Sequence, residues 1–329
     1  MQCFNQYVLS APRRLAMPIA VYPGIALTHA KVSDVTHNPE IQFQAQTALH
    51  LRYHTPLVLS AMDLSAEAEA FGCTLHEAEE EVPSVTGRLV TSLAEAQALE
   101  VPKPGAKRTS VYLETVARLR RHYPQYLVFG GCIGPFSLAA RLAGVSEAME
   151  LTVTEPELMH TLLQKSTDFL RSYLRAFHSQ GADGVIMAEP AAGLLSPRMM
   201  QEFSCAYIRQ LVEALPTASF ALIYHNCAAK LMHLPVLLAT GVQTFHFGAP
   251  MDIPAALTQA PASVVICGNL DPTGVFVQSS PAEVEQQTRK LLAATQGHRN
   301  FVISSGCDVP ARAPLANLDA FFKAVDEAP

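Results

Sequence analysis

Short apolar runs rich in Val, Ile and Phe recur along the chain, and longer segments of helical period separate them. The runs are Pro18–Tyr22, Leu57–Met62, Leu127–Cys132, Gly184–Glu189, Phe220–His225, Val242–Phe247, Ser263–Cys267 and Phe301–Ser305. Parallel strands buried on both faces read as continuous apolar runs, and the crossovers between them are usually helical, so the order predicts an α/β protein. The helices are clearest in the second half. Glu155–Gln180 carries Leu158, Leu162, Leu163, Phe169, Leu174 and Phe177 at helical spacing. Ser196–Leu215 and Pro281–Gln296 both open on a Ser-Pro pair, a cap followed by proline in the first turn, and Leu315–Ala328 closes the chain. Eight strands with interleaved helices are what a (β/α)8 TIM-type barrel requires. The chain of 329 residues has no low-complexity tether and no fixed-period repeat, so residues 1–329 are expected to form one barrel domain. Cys73–Lys107, Glu-rich and then bounded by prolines, fits no strand–helix unit and is expected to be an N-terminal excursion over the barrel.

Composition narrows the function. Apolar residues make up 49% and charged residues 16%, which excludes a disordered or heavily charged scaffold. A formal net charge of −6 lacks the basic excess of a nucleic-acid binder or a polybasic membrane-surface protein. In the first thirty residues Arg13 and Arg14 follow an apolar stretch, and Pro18 and Pro23 break the next, unlike a signal peptide. No run of eighteen apolar residues occurs, and the expected location is the cytoplasm. Seven cysteines, an odd number in a chain large enough to fold without staples, point to free or metal-bound thiols rather than a disulfide framework.

In a barrel of this type the chemistry sits at the carboxyl ends of the strands. The residues there are Asp63, Cys132 to Pro135, Glu189, His225 to Cys227, His246, Gly268 to Pro272 and Gly306 to Asp308. Within Tyr224-His225-Asn226-Cys227, residues i and i+2 of an extended chain face the same side, so an imidazole and a thiolate can reach one ion. Alone, His-x-Cys equally describes two half-buried residues at a strand end. Cys307 ends the last strand of the same barrel, beside Gly306, and offers a third ligand across the mouth. An N/S/S set suits zinc and leaves a fourth position for substrate.

The other candidates are weaker. His246, also at a strand end, is an outside candidate for the fourth zinc position, and Cys132 and Cys267 lie at strand ends near glycines. Cys205 and His233 fall in helices and Cys73 near the excursion, where core packing is the simpler role. Asp63, Glu189 and Asn269 are candidates to line the pocket and bind substrate. Carboxylates at strand ends also bind loop amides, and Asn269 and Asp271 also fit a turn in Asn-Leu-Asp-Pro.

Several of these segments resemble the uroporphyrinogen decarboxylase superfamily: Gly268-Asn269-Leu270-Asp271-Pro272, Met62-Asp63-Leu64 followed by Glu67–Gly72, Gly134–Ala139 and Leu195-Ser196-Pro197. The resemblance runs from about Pro18 to the C-terminus and implies a (β/α)8 barrel with one of two chemistries, cofactor-free porphyrinogen decarboxylation or zinc-dependent methyl transfer involving a corrinoid. The decarboxylases carry an Arg-Gln-Ala-Gly-Arg segment that holds porphyrinogen carboxylates. Here Ala20-Val21-Tyr22-Pro23-Gly24 has neither arginine, and Gly306-Cys307-Asp308 stands where decarboxylases have a Gly-His-Gly-like turn. His225-x-Cys227 with Cys307 resembles the zinc signature of the methylcobamide:coenzyme M methyltransferase branch. Where relatives often place an acid after the sixth strand, this chain has Phe247-Gly248-Ala249-Pro250.

That resemblance implies zinc on His225, Cys227 and Cys307, a methylcobamide co-substrate and a small methyl acceptor or donor. No corrinoid-binding Asp-x-His-x-x-Gly motif occurs in the chain, so a separate corrinoid carrier protein is the expected partner. The alternatives are a porphyrinogen decarboxylase without a metal and a non-catalytic zinc or thiol sensor or carrier.

Overall fold

The computed structural model describes residues 4–216 and 219–328; Cys3, among the seven cysteines, lies outside them. Seven strands form one parallel sheet: β1 (Leu57–Leu59), β4 (Leu127–Ile133), β5 (Gly184–Ala188), β6 (Ala221–Asn226), β7 (Thr244–Phe247), β8 (Val265–Leu270) and β9 (Phe301–Ser305), hydrogen-bonded in that order. The remaining two, β2 (Thr74–Ala78) and β3 (Glu81–Thr86), pair with each other as an antiparallel hairpin. Helices cross between successive sheet strands, among them Pro135–Ala143, Pro156–Ser179 and Pro281–Ala294. The architecture is TIM-barrel-like. Seven of the eight expected strands are present, and the Glu-rich excursion is the β2–β3 hairpin and the short helix Leu93–Ala98 that follows it.

The eighth strand differs from expectation. Pro18–Tyr22 is not a strand; the N-terminal segment pairs with β9 two residues earlier, through a bridge between Ala16 and Ile303. Met17 N donates to Ile303 O at 2.9 Å and Ile303 N to Leu15 O at 3.1 Å. Pro18 has no N–H to continue the ladder, and the chain turns into a 3-10 turn at Tyr22–Gly24. On its other side this segment reaches β1 without a strand ladder. Two buried glutamines of the helix Pro39–Tyr53 bind the backbone there instead: Gln46 Nε2 donates to Val21 O at 3.0 Å, and Gln42 Oε1 accepts from Ala61 N at 3.0 Å. Such pairing is required because buried backbone groups without partners are costly.

The strands carry Val, Ile and Phe on both faces and are almost wholly buried. The helix Pro156–Ser179 covers β4 and β5 with Phe169, Leu170, Leu174 and Phe177, each fully buried. Ser196–Leu215, expected as one helix, is helical over Pro197–Met200 and Ala206–Ala214 with a π-helical turn, Gln201–Cys205, between them. Among the described residues no helix is long and apolar enough to cross a membrane.

Candidate metal centre

The carboxyl ends of the strands surround a cavity of about 380 Å³, lined by Met62, Leu64, the hairpin residues Val82 and Pro83, and His225, Cys227 and Cys307. The last three each bring one ligand atom to within 4.8 Å of the others. They are the trio expected from the sequence, brought together from strands that are not neighbours, since β7 and β8 lie between β6 and β9.

Local structure explains how each side chain reaches the mouth. His225 is the penultimate residue of β6, and the β6–β7 register sets it opposite His246. Asn226 then stops the strand. Its Oδ1 accepts from Ala228 N at 3.0 Å and Ala229 N at 2.9 Å, a side-chain turn, while its Nδ2 donates to Glu189 O at 2.7 Å. Cys227 is thereby held at the apex. Two glycines make room. A β-carbon on Gly248 would fall on the backbone of Cys227, and one on Gly306 would come within 2.9 Å of Ala249 N and 3.1 Å of Asn269 O.

The two thiols lie close enough to shift each other's titration in opposite directions. Proximity of the Cys307 thiol holds Cys227 below the ordinary thiol range despite partial burial. The same contact, with burial, pushes Cys307 up. One imidazole and two soft sulfurs, one already inclined to be a thiolate, are a donor set that fits zinc.

His246 is not a fourth ligand. It is fully buried behind His225, with Nδ1 at 2.9 Å from His225 Nδ1 and Nε2 at 2.7 Å from Ser304 Oγ, so both ring nitrogens are taken. Burial, then the neighbouring His225, pushes its pKa well below the usual histidine value, which keeps it neutral. Cys132 and Cys267 are also outside the cluster; burial raises both thiols. Cys73 and Cys205 are buried. His233 is buried at a turn, accepting from Lys230 N at 3.0 Å and donating toward Leu195 O at 3.1 Å.

The expected pocket acids face elsewhere. Asp63 is surrounded by Arg108, Tyr112 Oη at 3.1 Å, and Ser65 through both Oγ at 2.6 Å and backbone N at 2.8 Å. It holds the loop after β1, whose Met62, Leu64 and Ser65 line the cavity, but its own carboxylate is spent on that network. Glu189 accepts from Phe136 N and Ser137 N, each at 2.8 Å, and from Ser204 Oγ at 3.1 Å. It therefore caps the amino end of the helix Pro135–Ala143, where a negative charge is stabilised. Asn269 donates to Gly248 O at 3.0 Å and Met251 O at 2.7 Å, fixing the loop after β7, and Asp271 forms a turn by accepting from Thr273 N at 3.0 Å.

Two further titratable residues line the cavity. Arg141, in the last turn of the helix Pro135–Ala143, lines the cavity half-buried, and among the described residues its guanidinium has no hydrogen-bond or ion-pair partner. Asp308, beside Cys307, is pushed up to about 8 by burial. Asp308 is among the strand-end residues read from the sequence; Arg141 has no spacing signal, because an arginine on a helix reads as surface until the tertiary structure turns it inward.

Comparison with known proteins identifies one family whose sequence model, uroporphyrinogen decarboxylase (URO-D), matches residues 14–328. A methylcobamide:CoM methyltransferase MtbA of Methanosarcina acetivorans is 27% identical over 312 residues, 92% of this chain and 90% of the relative. The methylcobamide:CoM methyltransferase MtbA of Methanosarcina mazei is 30% identical over 260 residues, 78% of this chain and 75% of the relative. Among solved structures, a methyltransferase from Methanosarcina mazei superposes with a TM-score of 0.87 at 20% identity, covering 97% of this chain and 96% of the other, a likeness of fold.

Proposed function

The chain belongs to the uroporphyrinogen decarboxylase family, and we propose that within it this protein is a zinc-dependent methyltransferase moving a methyl group between a methylcobamide and a small thiol. The observation that carries the reading is the convergence of His225, Cys227 and Cys307 to within 4.8 Å at the barrel mouth. Zinc bound there would act as a Lewis acid and keep an incoming thiol deprotonated at neutral pH. In the transfer, the thiolate sulfur bonds to the methyl carbon while the carbon–cobalt electron pair stays on cobalt, giving a thioether and cob(I)amide.

The chain's own residues prepare that event. Met62, Leu64, Ala188 and Pro190 form an apolar wall that keeps water from the sulfur. Arg141 supplies a positive charge in the same cavity and favours an acceptor that carries an anionic group at the end away from its thiol. With no corrinoid-binding motif in the sequence, the methylcobamide arrives on a separate carrier protein at the open mouth. A porphyrinogen decarboxylase would need to grip several carboxylates, and one guanidinium in the cavity does not supply that grip.

Anaerobic incubation with methylcobalamin and a panel of neutral and anionic thiols tests the reading. The expected result is conversion of the methylcob(III)alamin spectrum to that of cob(I)alamin with at least one thiol. No conversion with any thiol overturns the thiol-acceptor assignment.

A further inference from the structure

A neutral histidine can ligate a metal only through the ring nitrogen that lacks a proton, so the ring's tautomer decides whether it is a ligand. In many metal sites a carboxylate or a backbone carbonyl fixes that choice. Here the partner of His225 Nδ1 at short range is another imidazole nitrogen, His246 Nδ1, at 2.9 Å. The carbonyl of His246 lies further off, at 3.3 Å. Two facing nitrogens at 2.9 Å share one proton, and its owner is decided at the far end of the network.

Ser304 Oγ lies 2.6 Å from the carbonyl oxygen of Met17. A carbonyl only accepts, so the serine proton is directed there, and Ser304 Oγ is left to accept from His246 Nε2 at 2.7 Å. A neutral His246 with its proton on Nε2 has a bare Nδ1, which accepts from His225 Nδ1–H. His225 Nε2 is then the unprotonated nitrogen of that ring. Every donor–acceptor choice follows from one backbone carbonyl. His225, His246, Ser304 and Met17 are each 2% exposed or less, so bulk water does not compete with the sequence of bonds.

We infer that Ser304 and His246 are positioning residues that lock His225 into the metal-binding tautomer, with the Met17 carbonyl of the N-terminal segment as the anchor; this rests on the zinc reading of the site. The strand β9 thus serves the centre twice, through Ser304 on the relay and through Cys307 just beyond its end. The N-terminal segment that pairs with β9 at Ala16 also takes part, because it presents the carbonyl on which the relay terminates. The relay carries no carboxylate, so it orients His225 without adding negative charge to a site already supplied with two thiols.

The test uses the full chain with ring-15N-labelled histidine, zinc-free and zinc-loaded. Nitrogen–proton correlation spectra of the zinc-free wild type are expected to show His225 protonated on Nδ1 and His246 on Nε2; the reverse assignment of either ring overturns the inference. Zinc affinity is then measured by chelator competition in Ser304→Ala, Ser304→Thr and His246→Leu, each checked for cooperative unfolding. Removal of the hydroxyl or the imidazole is expected to weaken zinc binding by about 10–100-fold, the usual range for loss of such a supporting contact, while Ser304→Thr stays close to wild type. Wild-type affinity in Ser304→Ala, or an equal loss in Ser304→Thr, overturns it. If the wild type bound no zinc, the metal reading itself would fail, whereas the ring tautomers of the zinc-free wild type would still decide the relay.

Discussion

The carbonyl and α-carbon of Cys227 occupy the space a side chain would need on Gly248, so the first residue after β7 and the turn that presents the thiol are packed backbone to backbone. Neither can shift alone. The site's geometry therefore depends on a residue that touches no ligand through a side chain.

Gly248→Ala is the corresponding prediction. A methyl group there must displace the Cys227 turn, an overpacking that costs about 1–3 kcal/mol. Denaturant unfolding should show that loss, and zinc affinity should fall with all three ligand side chains intact. A variant with wild-type zinc affinity would show that the turn has freedom the packing denies it.

Arg141 governs acceptor choice on the proposed function. Replacing it with Gln removes a charge-assisted contact, typically about 1.5–3 kcal/mol. The KM for an anionic thiol such as 3-mercaptopropionate should rise about tenfold or more with kcat nearly unchanged, while the KM for neutral 2-mercaptoethanol should barely move. Equal changes for the two thiols would remove Arg141 from acceptor recognition.

Glu67 makes stability pH-dependent. It is buried behind the loop after β1, its Oε1 accepts from Ile133 N at 3.1 Å and its Oε2 has no hydrogen-bond partner among the described residues. Burial raises its pKa from 4.5 to about 8. Between those values the folded chain holds a proton that the unfolded chain releases, so this group's contribution is complete below about pH 4.5 and is lost as pH rises through about 8. The slope it adds is at most roughly 1.4 kcal/mol per pH unit. Glu67→Gln should therefore be close to wild type at pH 5 and relatively more stable at pH 8 in urea unfolding. The same difference at both pH values would contradict the assignment.

Much of this was legible in the sequence, for identifiable reasons. Strands buried on both faces print as unbroken Val, Ile and Phe runs, which is why β4 to β9 stand where their runs lie. The N-terminal run yields a short pairing at Ala16 instead of a strand over Pro18–Tyr22, because Leu15–Tyr22 is apolar throughout and only the missing N–H of Pro18 marks where pairing ends. His225, Cys227 and Cys307 could be read because their chemistry is rare and their positions follow from period two and strand order.

The supporting residues could not be read that way. His246 meets His225 only through the β6–β7 register, and Ser304 meets the Met17 carbonyl only through the closing of the N-terminal segment on β9, which no local spacing encodes. Asp63 looked like a pocket acid because its partner Arg108 is 45 residues away, and Glu189 because a carboxylate that caps a helix and one that binds substrate are the same residue type at the same strand end.

Metal analysis of the purified wild type beside Cys307→Ser tests most directly the claim that three side chains hold one zinc ion. One zinc per chain is expected in the wild type and a substoichiometric content in the variant. A wild type without stoichiometric zinc, or a variant that retains it all, would contradict it.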